Sequence, residues 1–225
     1  MKTASIIAAA GALILSGMAS AAEINVISTQ ATQEAYQELV AQFEKASGHK
    51  VTTFFSGTVN VQKKLADGEP YDLILMAGPA IDEQIKLGKA VAGSRADLAK
   101  SGTGLAVRKR AAKPDISSAD ALKKTLLGVA DQVKGKLKQT PSGVFVGTLI
   151  ANGDTEVGFQ QISELVHFAG IDYVGPLPGD LQRMTMFSTR IHSGAKQADA
   201  ARALVRFLTA PAAAPVIRKH GLEPA

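Results

Sequence analysis

Two short hydroxyl-bearing runs stand at equivalent places in the chain: Ser28-Thr29 closes a β-rich run ahead of a helical pattern, and Ser56-Gly57-Thr58 closes the next one ahead of another. A hydroxyl at such a strand-to-helix turn either caps the helix or donates to a ligand beside the free N–H groups and partial positive charge of the helix N-terminus. At the carboxyl edge of a parallel sheet the same turn lies where open α/β sheets bind ligands. Gly57 would let the backbone approach such a ligand closely. The resulting donor set, hydroxyls and amides without formal charge, suits a fully ionised oxyanion. It would offer no acceptor to a protonated one. Ser142-Gly143, predicted to open a helix, is a weaker candidate of the same type, and Gln161, closing a strand, would place an amide in the same cleft. Taken alone, each of these residues is more often structural, and it is the pair of turns on neighbouring strands that brings the ligand reading level with helix capping.

Other chemistries find little support. The four histidines, His49, His167, His192 and His220, lie far apart without metal-site spacing. No G-x-S-x-G elbow marks a nucleophilic serine, and Gly102-Thr103-Gly104 lacks the third glycine of a dinucleotide loop. Asp82-Glu83, at a helix start, suits the helix dipole. The chain therefore reads as a binding protein rather than an enzyme, with no metal or nucleotide cofactor indicated; an exported hydrolase is the enzyme alternative.

Composition narrows the setting. Met1-Lys2, the apolar run Ile6 to Leu15 and the small residues Met18 to Ala22 have the form of a cleavable secretory signal over residues 1–22. The apolar run is about half the ~20 residues needed to span a bilayer. The mature chain is expected to be soluble, periplasmic and monomeric. Without any cysteine it carries no disulfide, thiol nucleophile or lipid anchor on sulfur. Lys and Arg number 25 against 20 Asp and Glu, a net +5 that falls to +4 when Lys2 leaves with the signal. That excess favours anionic ligands weakly. Three Tyr, no Trp and no basic run longer than Arg108-Lys109-Arg110 argue against a nucleic-acid partner.

The elements that must position the candidates alternate. Strands are expected at 23–28, 50–56, 72–76, 104–108, 156–161, 172–176 and 183–192, and helices at 32–47, 59–67, 79–87, 117–127, 143–151, 197–208 and 211–220. Gly48 stands where a left-handed C-terminal residue ends the first helix. The opening βαβα order implies a parallel sheet. Residues 91–101 read as a mixed link between lobes, and 128–139 as a short helix plus loop. The expected organisation is two α/β lobes, 23–101 plus 189–225 and 102–188, with crossings near Ser101 and Ser188.

Several segments carry a resemblance: Ile27-Ser28, Phe55-Ser56-Gly57-Thr58, Gly68-Glu69-Pro70-Tyr71-Asp72-Leu73, Val91-Ala92-Gly93-Ser94-Arg95, the run from Val157-Gly158-Phe159-Gln160-Gln161 to Ile162-Ser163-Glu164-Leu165, and Gly221-Leu222-Glu223-Pro224-Ala225. Through them the chain resembles the molybdate-binding-protein-like group of periplasmic substrate-binding proteins of ABC transporters. The resemblance implies a two-lobed type II periplasmic-binding-protein fold that closes by a hinge over a small anion, molybdate or a related oxyanion, and delivers it to the membrane permease of an ABC importer. It matches Ser28 and Ser56 to first-lobe serines and puts Gly143 near a second-lobe amide donor. Gln161 stands where the molybdate-binding members place a Tyr, which removes a phenolic donor. Between Leu127 and Gly128 a strand–helix unit of similar proteins is absent, which shortens the second lobe. Two alternatives stay open: a reduced pocket for a small organic ligand, and a degenerate homologue serving as a protein-interaction or signalling module.

Overall fold

A computed structural model describes residues 21–128 and 138–225. The signal segment, apart from its last two residues, and most of the 128–139 stretch lie outside the described residues.

The first three strands, β1 (Glu23–Thr29), β2 (Lys50–Ser56) and β3 (Leu73–Ala77), pair in parallel, as the opening order implies. Their connecting helices are α1 (Gln33–Ser47), preceded by a 3-10 turn at Gln30–Thr32, and α2 (Thr58–Ala66). Gly48, with φ 76°, ends α1 in the left-handed conformation that a Cβ disfavours. A third helix, α3 (Gly78–Lys86), follows β3 with Pro79 in its first turn, where the missing N–H costs nothing.

The stretch expected as a link instead contains β4 (Ala96–Ser101). Its Asp97 and Lys100 interrupt the apolar pattern, yet Leu98 and Ala99 are buried in the core. The chain then passes through Gly102 into β5 (Thr103–Arg108), the centre of a second sheet. Helix α4 (Ala119–Gly128) begins with Ser118 Oγ accepting from the Ala121 N–H at 3.0 Å, so Ser118 is the cap. Helix α5 (Val146–Asn152) starts three residues later than expected, leaving Ser142-Gly143 in the turn before it. Next come β6 (Val157–Gln161), the four-residue helix α6 (Ile162–Leu165) and β7 (Ile171–Pro176). The chain ends with β8 (Thr185–Ile191), α7 (Ala198–Leu208), α8 (Ala214–Lys219) and β9 (Glu223–Pro224).

Two sheets result, of order β2-β1-β3-β8-β4-β9 and, among the described residues, β6-β5-β7. The parallel arrangement does not extend to all of them. Strand β8 is antiparallel to β3 and β4, and both pairings in the smaller sheet are antiparallel. The reason is positional: β1 to β4 end at the edge facing the second lobe, so a strand returning from that lobe enters at that edge and runs the other way. All seven residues of β8 belong to the larger sheet, so the return falls before Thr185, earlier than Ser188.

Burial on both faces explains the unbroken apolar run of β3, in which Leu73, Ile74, Leu75 and Met76 are fully inaccessible. Leu39, Phe43, Leu204 and Leu208 cover one face of the larger sheet, and Val61, Leu65 and Ile81 the other. In β5, Ala106 packs towards Ile150 and Leu165 while Leu105 and Val107 pack towards Leu122, the two-residue period of a covered strand.

Candidate functional site between the lobes

The carboxyl ends of β1 and β2 place Ser28, Thr29 and Ser56 side by side, all buried. Thr29, before the 3-10 turn, makes no side-chain capping bond, and the residue before α2 is Gly57, which has no side chain to cap with. Ser28 Oγ donates to the Thr29 carbonyl at 3.1 Å and lies 3.2 Å from Thr32 Oγ1, so its turn is stitched from within.

Ser56 faces the other lobe. Asn60, one turn into α2, donates from Nδ2 to Ser56 Oγ and to the Ser142 carbonyl, both at 3.0 Å, and its backbone N–H reaches Ser142 Oγ at 3.4 Å. Gln30 Nε2 adds a bond to the Gly143 carbonyl at 3.2 Å. The two lobes are thus hydrogen-bonded across the cleft. Gly57 and Gly143 permit this approach. A Cβ on Gly57 would lie 2.4 Å from Ser142 Oγ, and one on Gly143 2.9 Å from Ser56 Oγ. Gly143 also has φ 90°, which side chains rarely tolerate.

Beside this contact lies a cavity of about 210 Å³, small against the ~300–1,000 Å³ of drug-sized sites. Thr29, Gly57, Thr58 and Gln161 line it, together with Gln30, Glu164 and Thr185. Of the candidates read from the sequence, Ser28 is fully buried and is not among the lining residues, while Ser56, Ser142 and Gly143 form the interlobe contact. Gln161 Nε2 donates to Thr185 Oγ1 at 3.2 Å. Two buried polar atoms of the lining residues, Thr29 Oγ1 and Gln161 Oε1, have no partner among the described residues. An unpartnered buried polar atom costs roughly 1–3 kcal/mol, so such atoms are normally satisfied by something.

Glu164, on α6, is the residue that pattern reading missed. Burial pushes its carboxyl up to about 7, partly offset by the Gln160 side chain and the Gln161 backbone. Among the described residues, no lysine, arginine or histidine lines the cavity. A glutamate just inside a helix reads in sequence as a dipole partner, and α6 is too short to announce itself. Asn60 was hidden for a different reason: its partner across the cleft, Ser142, lies 82 positions away. The histidines are scattered, with His49 stacked on Phe43 and His167 against His220.

The family model described as "bacterial extracellular solute-binding protein" matches residues 24–130 and 124–223, nearly the whole described chain. The chain belongs to that family. Aconitate isomerase of Pseudomonas sp is 33% identical over 230 aligned positions, covering 89% of this chain and 87% of the relative. The molybdate-binding protein ModA of Azotobacter vinelandii is 29% identical over 241 positions, covering 96% of each. The Azotobacter vinelandii periplasmic molybdate-binding protein superposes with a TM-score of 0.70 at 18% identity, over 90% of this chain and 99% of that one. The fold is the two-lobed type II form, and the family member is molybdate-binding-protein-like. The two matched stretches overlap at residues 124–130.

Proposed function

We propose that this family member is a periplasmic binding protein that captures a small anion in the interlobe cavity and delivers it, as a monomer, to the permease of an ABC importer. The observation that carries this reading is the cavity itself. It is lined by Thr29 and Thr58 from one lobe and Gln161 from the other, and hydrogen bonds beside it hold the lobes together. The N-terminus of the nine-residue α2 adds donor N–H groups at Thr58. Residues 1–22 would serve as the export signal. The test is a thermal-shift titration of the exported protein with molybdate, tungstate, sulfate, phosphate and small carboxylates. A ligand that binds only the folded state raises stability by RT ln(1 + [L]/Kd). A saturable rise with one of them supports capture; a flat response from folded protein supports the degenerate module instead.

A second reading, isomerisation of aconitate or a similar unsaturated acid, is favoured by Glu164 and by the name of the 33%-identical relative. A carboxyl near pKa 7 in a cavity is half ionised at neutral pH, able to take a proton from carbon and return it. Incubation with cis-aconitate, followed by proton NMR for the trans isomer, checks this reading. No conversion at high protein concentration leaves capture alone.

A further inference from the structure

We infer that the anion held in this cavity is a hydroxycarboxylate, an organic carboxylate bearing its own hydroxyl donor, rather than a fully ionised tetrahedral oxyanion. The inference rests on the reading of the cavity as a capture site.

Three observations converge on it. First, the cavity offers acceptors as well as donors. Gln161 Oε1 is buried and unpartnered while its Nε2 is committed to Thr185. Glu164 keeps at least one accepting oxygen in either protonation state. A fully ionised oxyanion has no hydrogen to give either group, and an ionised Glu164 would repel it. Second, the donors gather on the opposite lobe: the unpartnered hydroxyl of Thr29, and Thr58 with the start of α2. A ligand carboxylate fits there, and its hydroxyl then faces Gln161 and Glu164. Third, Ala31, Ala77 and Phe187 also line the cavity. Methylene groups gain from that apolar wall, whereas a shell of charged oxygens loses hydration against it.

A site built to hydrogen-bond a hydroxyl discriminates strongly against the analogue that lacks it, because its own polar groups are then left unpaired. The experiment is calorimetric titration of the exported protein with malate against succinate, citrate against tricarballylate, and molybdate and sulfate. Each organic pair differs by one hydroxyl. The expected result is binding of at least one hydroxy acid at least about tenfold tighter than its deoxy partner, with both inorganic anions weaker still. In Gln161→Leu and Glu164→Gln that ratio should shrink, with cooperative melting confirming the fold of each variant. Equal affinity within each pair, or tighter binding of molybdate or sulfate, overturns the inference while leaving the capture site standing. Absence of binding by all six anions removes the capture reading and the inference with it.

Discussion

Gln182 and Thr103 exchange two hydrogen bonds: the Thr103 N–H donates to Gln182 Oε1 at 2.7 Å, and Gln182 Nε2 donates to the Thr103 carbonyl at 2.9 Å. The two residues lie on the outgoing and returning chain segments between the lobes, so one side-chain amide staples both crossings. Gly102 makes room for it, since a Cβ there would lie 2.8 Å from the Gln182 side-chain carbon. Gln182→Ala should lower stability by about 1–2 kcal/mol and speed amide exchange at Thr103. Unchanged exchange at Thr103 would show that the staple does not hold the crossing.

Gly57 offers a clean test of the interlobe contact. Its φ of −67° suits any residue, so Gly57→Ala carries no backbone penalty, and only the approach of Ser142 and of the Gly143 backbone nitrogen, 2.8 Å from the new Cβ, opposes the methyl group. The variant should melt within about 1 kcal/mol of the wild type. In small-angle scattering it should show a larger radius of gyration. An unchanged radius would mean the turn at Ser142 yields without separating the lobes.

Much of the fold was legible because its signals are local. Gly48 and Pro79 mark helix ends, and the apolar run of β3 announces a strand covered on both faces. Strand β4 was hidden because its charged residues serve tertiary purposes: Asp97 accepts from Ser188 at 2.6 Å and pairs with Arg95 at 2.8 Å. In the site, strand-end hydroxyls were visible as a class. Which of them face the cavity depends on contacts such as Asn60 to Ser142, which no periodicity encodes.

Asp72 is another residue whose work is remote from its place in the chain. Its carboxylate accepts from the backbone N–H groups of Asn25, Lys196 and Gln197 at 2.8, 2.8 and 2.7 Å, tying β1 to the start of α7. Asp72→Ala strands these N–H groups and should cost on the order of 3–5 kcal/mol, read from chemical denaturation. A loss below about 1 kcal/mol would show that water replaces the carboxylate.

Glu164 gives the fold a pH signature. Its carboxyl is raised from the ordinary 4.5 to about 7, so the folded chain holds this proton more tightly than the unfolded chain. Its contribution to stability is full below about pH 4.5 and declines to about pH 7, by about 3 kcal/mol, then stays level. The measurement is the difference between wild type and Glu164→Gln across that range, in which every other titrating group cancels. A difference that does not change with pH would place the carboxyl in water.

The strand order of the larger sheet sets a schedule for synthesis. Among the described residues, β4 pairs with β8 and β9 alone, and the inner edge of β3 is met by β8 alone. Until β8 has emerged from the ribosome, β4 has no neighbour and the open edge of β3 is a site for mispairing. The smaller sheet, by contrast, is made from the continuous run Thr103–Pro176. That lobe has all its described strands first, and the older half of the chain must wait for it.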